Sequence, residues 1–181
     1  MKKLIIAFLF ACNAEMIPVS NEYILYIDDR FTIDQQDDII QASINWQNNT
    51  NVIIHPYISN VDCNKVDGNF VMCFHPSTKE YVSSRHEHAG AITIIHPGFQ
   101  STNNTYIAMD TSIMSSYPGR AVSKILFRAV ATHEMGHQMG LDHQTTFGIM
   151  SPITSIDTST INCSDVKQYN DLRNMTTDCK D

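Results

Sequence analysis

An eleven-residue segment in the last third of the chain constrains the fold more than any other feature. Residues 133–143 read His-Glu-Met-Gly-His-Gln-Met-Gly-Leu-Asp-His. Residues four apart on a helix share one face, so His133 and His137 can present two imidazoles to one small cation. His143 cannot join them from a continuing helix, because six further residues advance about 9 Å along the axis. The helix must therefore end, and Gly140 permits the reversal, since glycine adopts the left-handed conformation without a side-chain penalty.

Three histidines in this arrangement have the composition of a catalytic zinc site. Such a site uses three protein ligands and keeps a fourth position for water, with Zn–N distances of roughly 2.0–2.1 Å. We predict that His133, His137 and His143 hold one Zn²⁺ ion. Glu134 is adjacent to the first ligand in the chain and rotated from it on the helix, which suits a general base that acts on a water molecule.

The pattern H-E-x-x-H-x-x-G-x-x-H resembles the signature of the metzincin zinc endopeptidases, which also carry a methionine turn. The segment Gly148-Ile149-Met150-Ser151-Pro152 follows the third histidine, and we predict Met150 as the turn residue. The Gly-Leu-Asp-His run and the Met-x-Pro turn are most similar to matrixins and their bacterial relatives. Two positions separate subfamilies: Gln144 stands in place of the matrixin serine, and Pro152 in place of the tyrosine of astacins and serralysins.

The resemblance implies an α+β fold, a metzincin-like zincin catalytic domain. Such a domain has a twisted mixed five-stranded sheet, a backing helix, an active-site helix and a C-terminal Met-turn subdomain with a final helix. We expect one domain over residues 22–181, which acts as a monomer. Runs of β-branched and aromatic residues predict five strands, at residues 23–28, 51–57, 69–74, 89–96 and 105–110.

Helices are predicted from caps and from apolar spacing. Thr32 followed by Gln35 is a capping box that opens a helix reaching about Asn48, with Trp46 in the core. The active-site helix is predicted to begin between Gly119 and Ser123, and its apolar spacing predicts a buried face made of Ile125, Leu126, Ala129 and Val130.

A last helix is predicted over residues 162–172, capped by Asn162 or Ser164. Asp165 in this helix resembles the acidic residue that braces the Met-turn in matrixins. Helix capping and a position on a solvated face are the alternatives.

In metzincins a peptide substrate lies in extended form along the fourth strand, which is an antiparallel edge. The matching stretch is residues 89–96, and the candidate substrate-binding residues are Gly90, Ala91 and Ile92. The resemblance therefore implies a protein or peptide partner. An ordinary strand with a bulge glycine is the alternative for this stretch.

The N-terminus has the pattern of an export signal. A positive start, Met1-Lys2-Lys3, precedes an apolar stretch too short to span a bilayer, and Cys12 follows it. Residues 1–12 therefore resemble a lipoprotein signal, in which Cys12 is lipidated and would be the chain's one link to a membrane. Cleavage after Ala14 to release a freely secreted protein is the alternative. We expect a secreted, periplasmic or lipid-anchored protein.

Four cysteines remain beyond the signal, an even number in a chain expected to reach an oxidising compartment. Four cysteines allow three pairings. We predict the local one, which joins Cys63 to Cys73 and Cys163 to Cys179.

Charge and the remaining histidines limit the other partners. The net charge of −7, without a run of basic residues, argues against nucleic acid or an anionic membrane surface as a partner. We interpret His75, His86, His88 and His96 as surface residues rather than a second metal site, because they lack the spacing of the matrixin structural zinc site. The sequence does not indicate whether calcium binds.

Two functions are compatible with these features. The first is an exported zinc metalloendopeptidase, and the second is a catalytically inactive surface binding protein that keeps the metzincin fold and the zinc. Glu134 favours the peptidase, because a site that only binds metal needs no carboxylate beside its first ligand.

Overall fold

A computed structural model of the chain describes residues 21–66, 70–78, 91–95, 105–112, 120–145, 147–152, 158–176 and 179. The predicted export signal with Cys12 lies outside the described residues. Gly90, His86, His88 and His96 also lie outside them.

Five strands in the described part of the chain form one mixed sheet. They are β1 (Glu22–Asp28), β2 (Ile53–Ser59), β3 (Val71–Ser77), β4 (Ala91–Ile95) and β5 (Thr105–Asp110). The sheet order is β2-β1-β3-β5-β4, and all neighbouring pairs are parallel except β4 with β5, which is antiparallel. The predicted five-stranded mixed sheet with an antiparallel fourth strand at its edge is confirmed. β2 and β3 begin two residues later than predicted.

Within the described residues, three α-helices accompany the sheet: α1 (Ile33–Asn49), α2 (Arg120–Gln138) and α3 (Cys163–Asp171). The predicted capping box of α1 is confirmed, since the Thr32 hydroxyl accepts from the Gln35 backbone N–H and the Gln35 side chain accepts from the Thr32 backbone N–H. α3 is capped by Asn162, not by Ser164.

The core lies between the sheet and the two long helices. Along β1, Tyr23, Leu25 and Ile27 are buried while Ile24 is exposed, as the alternation of side chains on a strand requires. Trp46 of α1 is fully buried as predicted, and its indole N–H donates to the carbonyl of Thr132 on α2 at 2.8 Å. This hydrogen bond ties the backing helix to the active-site helix.

One part of the predicted buried face of α2 is wrong. Leu126 and Ala129 are buried and Val130 is partly buried, whereas Ile125 is 43% exposed. Ile125 lies about 100° around the helix from Leu126, since an α-helix has 3.6 residues per turn. That rotation moves its side chain off the stripe that faces the core.

Both predicted disulfides are confirmed. Cys63 pairs with Cys73 and Cys163 pairs with Cys179. The first lies in a small apolar cluster with Tyr106, outside the main core. The second joins the first residue of α3 to the end of the chain. Two disulfides suggest an extracellular environment, because such bonds persist under oxidising conditions.

Across the described residues, we find no helix with the length and apolarity needed to cross a membrane.

Candidate active site

Three histidine nitrogens converge on one point, as the motif predicts. The Nε2 atom of His137 lies 3.0 Å from that of His133 and 3.2 Å from that of His143, and the His143 and His133 atoms are 3.2 Å apart. His133 is buried, His137 is half-buried and His143 is exposed. The cluster therefore sits on the surface end of α2 with one side open to solvent.

Backbone carbonyls orient two of the three rings. The Nδ1–H of His133 donates to the carbonyl of Ile149 at 2.6 Å, and that of His137 donates to the carbonyl of Leu141 at 2.8 Å. A ring that donates from Nδ1 keeps its lone pair on Nε2, the atom that points to the shared centre. Burial lowers the pKa of His133 to about 4, with the nearby His137 and His143 acting in the same direction. His133 is therefore neutral near pH 7, as a metal ligand must be.

The chain reverses at the predicted glycine. α2 ends at Gln138, and Gly140 has φ +90°, in the left-handed region that favours glycine. The N–H of Leu141 donates to the carbonyl of Gly136 at 3.0 Å, which closes the reversed turn. This reversal brings His143 back beside the two helical histidines.

The three nitrogens fit a zinc ion. Nitrogens bonded to tetrahedral zinc at roughly 2.0–2.1 Å stand about 3.3–3.4 Å from each other, close to the spacings seen here. The donor set is three imidazole nitrogens, which zinc accepts readily, and the open side faces solvent at His143. Glu134 follows the first histidine on α2 and is buried, with 7% of its surface exposed.

Met150, the residue predicted for the Met-turn, lies in a turn that follows the three histidines in the chain. Met150 is fully buried, its carbonyl accepts from the N–H of Gln144 at 2.8 Å, and the N–H of Ser151 donates to the carbonyl of Gly148 at 3.1 Å. The preceding residue, Ile149, holds the ring of His133. The turn therefore contacts Gln144, which follows the third histidine. Its residue Ile149 orients the ring of the first histidine.

Asp165 supports the turn from α3. Its carboxylate accepts from the N–H of Ile149 at 3.0 Å, of Met150 at 3.2 Å and of Asn162 at 2.9 Å. Burial raises the pKa of this fully buried carboxyl, and the three backbone donors oppose that rise. Asp165 therefore both braces the turn and takes part in capping α3. The alternative prediction, a position on a solvated face, is wrong because the side chain is buried.

Comparison with known families decides the relationship. The family model described as Matrixin, Peptidase M10, matches residues 22–173, which is most of the chain. The chain belongs to the matrixin family. A comparison with curated proteins returned no match. Membership confirms the predicted resemblance and, together with the three histidines, suggests zinc binding and metalloprotease activity.

Two further contacts in this matrixin were not predicted. Gly136, inside α2, leaves room for Met150, because a Cβ at this position would overlap the methionine sulfur and touch the ring of Trp46. Gly148 is similar, since a Cβ there would overlap Asn162 and Asp165. A glycine within a helix costs roughly 1 kcal/mol relative to alanine. A glycine that stands inside a helix despite this cost indicates that another group packs closely against the helix there. It does not indicate which group that is.

The candidate substrate strand of this matrixin is only partly described. β4 pairs with β5 on one side and forms the edge of the sheet on the other, with Ala91 opposite Met109. Ala91 is buried, so its side chain faces the core rather than the solvent. Ile92 follows it in β4, and Gly90 lies outside the described residues.

His75 is less exposed than the surface position predicted for it. It is half-buried, and its Nδ1 lies 3.3 Å from the Oδ2 atom of Asp28 and 2.8 Å from the Nη2 atom of Arg30. These three residues form a polar cluster at the ends of β1 and β3. Among the described residues, the three histidines of the motif are the one group of acidic, cysteine or histidine ligands placed to hold a metal ion.

Proposed function

We propose that this matrixin is an exported zinc-dependent endopeptidase that hydrolyses peptide bonds. The observation that carries the proposal is the convergence of the Nε2 atoms of His133, His137 and His143 within 3.0–3.2 Å of each other. Glu134, the residue after His133, is buried. A binding protein has no chemical need for this carboxylate.

His133, His137 and His143 would hold one Zn²⁺ ion. When bound, zinc lowers the pKa of a coordinated water to about 7 and polarises a carbonyl oxygen. The hydrogen bonds of His133 to Ile149 and of His137 to Leu141 fix both rings, so the ligands need no rearrangement to receive the ion. Met150 is fully buried and follows Ile149, whose carbonyl orients the ring of His133.

Glu134 acts as the general base and then as the general acid. Its carboxylate accepts a proton from the attacking water as the new C–O bond forms at the scissile carbonyl. It then delivers this proton to the departing amine nitrogen as the C–N bond breaks. Both transfers use one carboxylate, and the reaction has no covalent enzyme intermediate.

The substrate binds as an extended strand against the edge that β4 forms in the described part of the sheet. Backbone groups of Gly90, Ala91 and Ile92 would form the ladder, because an edge strand offers N–H and C=O groups to a peptide. The burial of Ala91 supports contact through its backbone and not its side chain.

The catalytic domain spans residues 22–181 and acts as a monomer after export. The two disulfides support an oxidising destination. Lipidation at Cys12 would anchor the domain to a membrane, and cleavage after Ala14 would release it. Intact mass of the exported protein separates these two fates.

Cleavage of a quenched fluorescent peptide library tests the function. The mature exported protein is assayed untreated, after treatment with a zinc chelator, and after readdition of zinc, beside Glu134→Ala. We expect cleavage by the untreated protein, loss with chelator and recovery with zinc, and none by the variant. A folded, zinc-loaded wild type that cleaves nothing would contradict the peptidase and favour the inactive binding protein.

A further inference from the structure

The third histidine lies on a different part of the chain from the other two. His133 and His137 are held by α2, and their rings donate to backbone carbonyls. His143 is exposed and lies beyond the end of the helix, on the chain that leads toward the Met-turn. The position of its ring therefore depends on how firmly this segment is held.

Gln144, the next residue, joins the segment to two other parts of the structure. Its backbone N–H donates to the carbonyl of Met150 at 2.8 Å. Its side-chain Nε2 donates to the carbonyl of Ser164 at 3.1 Å and to Oε1 of Gln168 at 2.9 Å. Ser164 and Gln168 are four residues apart, so both acceptors lie on the same face of α3.

From these contacts we propose that Gln144 is a positioning residue that fixes His143 by linking its segment to α3. The inference rests on the proposed zinc function and extends it to a residue outside the ligand set. Gln144 itself contacts neither metal nor substrate in this account.

α3 can serve as a fixed support because it is attached at both ends. At its start, Cys163 is joined to Cys179, and Asp165 accepts from the backbone of the Met-turn. Beyond its end, the Arg173 guanidinium donates to the hydroxyl of Tyr23 in β1 at 2.7 Å and to the carbonyl of Met139 at 3.4 Å. A group tied to α3 is thereby tied to the sheet and to the end of α2.

The chemistry of the glutamine amide suits this role. A side-chain NH₂ group has two hydrogens, and here each has an acceptor. The serine that matrixins carry at this position has one hydroxyl hydrogen on a side chain two carbons shorter. Loss of the link would let His143 leave the site for part of the time. The apparent zinc affinity would then fall in proportion to the fraction of molecules in which His143 is in place.

Zinc affinity measured by competition with a chelator tests the inference, with the cobalt-substituted protein as a second readout. We expect Gln144→Ala to bind zinc about tenfold more weakly, in the range found for residues that support metal ligands. Its cobalt absorption bands should shift, because a displaced His143 changes the coordination. Gln168→Leu removes one of the two acceptors and should show a smaller effect in the same direction.

Two further variants separate positioning from general destabilisation. Gln168→Glu keeps an acceptor for the Gln144 amide and should retain the wild-type affinity and spectrum. Gln36→Ala is the matched control, because the Gln36 amide also has two acceptors, which are the backbone carbonyls of Asp29 and Phe31 near the start of α1. It should leave zinc affinity unchanged.

The outcomes distinguish the two proposals. Wild-type affinities and cobalt spectra in both Gln144→Ala and Gln168→Leu would overturn the positioning role and leave the zinc site intact. A wild type that binds neither zinc nor cobalt would overturn the proposed function itself. If Gln144→Ala does not fold, the comparison of Gln168→Leu with Gln168→Glu still decides the matter.

Discussion

The sulfur of Met150 occupies the space in which Gly136 would carry a Cβ. The active-site helix and the Met-turn approach each other closely at this point, and the ring of Trp46 is the third member of the contact. Met150 and Trp46 are both fully buried. The turn can pack against the helix because the helix has no side chain here.

Gly136→Ala should therefore destabilise the protein. The added methyl group forces Met150 and Trp46 to move, and overpacking of this kind costs about 1–3 kcal/mol, against roughly 1 kcal/mol gained from helix propensity. Urea denaturation of the metal-free protein measures the change in the free energy of unfolding. In a Met150→Ala background the same substitution should cost less, since the overlapping sulfur is absent. An equal cost in both backgrounds would refute the contact.

Asp165 holds the turn by a different means, and its removal should be more costly. Asp165→Ala leaves the N–H groups of Ile149, Met150 and Asn162 without this acceptor, and we expect a loss of about 3 kcal/mol or more. Asp165→Asn keeps one carbonyl oxygen and should lose less. Thermal or urea unfolding gives the order of stability.

The control for Asp165 is Asp171→Ala, an exposed position on the same helix that should change stability by less than about 0.5 kcal/mol. Zinc affinity should also fall in Asp165→Ala, because Ile149 orients His133. If Asp165→Ala were no less stable than Asp171→Ala, the carboxylate would have no bracing role.

Local sequence rules predicted the parts of the site that depend on local geometry. The spacing of His133, His137 and His143 and the position of Gly140 follow from helix periodicity and the need to reverse the chain. The capping box at Thr32 is equally local. The predictions of these features are confirmed because each feature depends on a few neighbouring residues.

Contacts between distant segments could not be predicted in the same way. The approach of Met150 to Gly136, the link from Gln144 to α3 and the pairing of His75 with Asp28 join residues that only the folded chain brings together. The error at Ile125 has a related cause, since apolar spacing gives the period of a helix but not the width of the face that its neighbours cover.

The polar cluster at the ends of β1 and β3 should give a pH-dependent term in stability. The Arg30 side chain donates to Asp28 at 2.8 Å and 2.5 Å, and its hydrogen bonds hold the pKa of the Asp28 carboxyl below its ordinary value. A carboxyl with a lowered folded-state pKa stabilises the fold above its unfolded-state pKa of about 3.9. This contribution is lost as the pH falls through the folded-state pKa.

Asp28→Asn should remove that term. We expect a loss of about 1–2 kcal/mol in the free energy of unfolding near neutral pH, because the amide cannot accept from Arg30 with both atoms. Below about pH 4 the wild type should approach the variant in stability. Urea denaturation of both metal-free proteins across this range makes the comparison, and metal-free samples avoid the release of zinc in acid. A difference in stability between the two proteins that stays constant down to the lowest pH measured would contradict this role of Asp28.

The most direct test of the account is Glu134→Gln, measured for bound zinc and for peptide cleavage in the same preparation. Glutamine keeps the size of the side chain and cannot accept the proton, so the three histidines should bind zinc as in the wild type while cleavage falls by about 100-fold or more. That result would assign Glu134 to proton transfer and His133, His137 and His143 to the metal. A variant that keeps its zinc and cleaves peptide at the wild-type rate would contradict the mechanism.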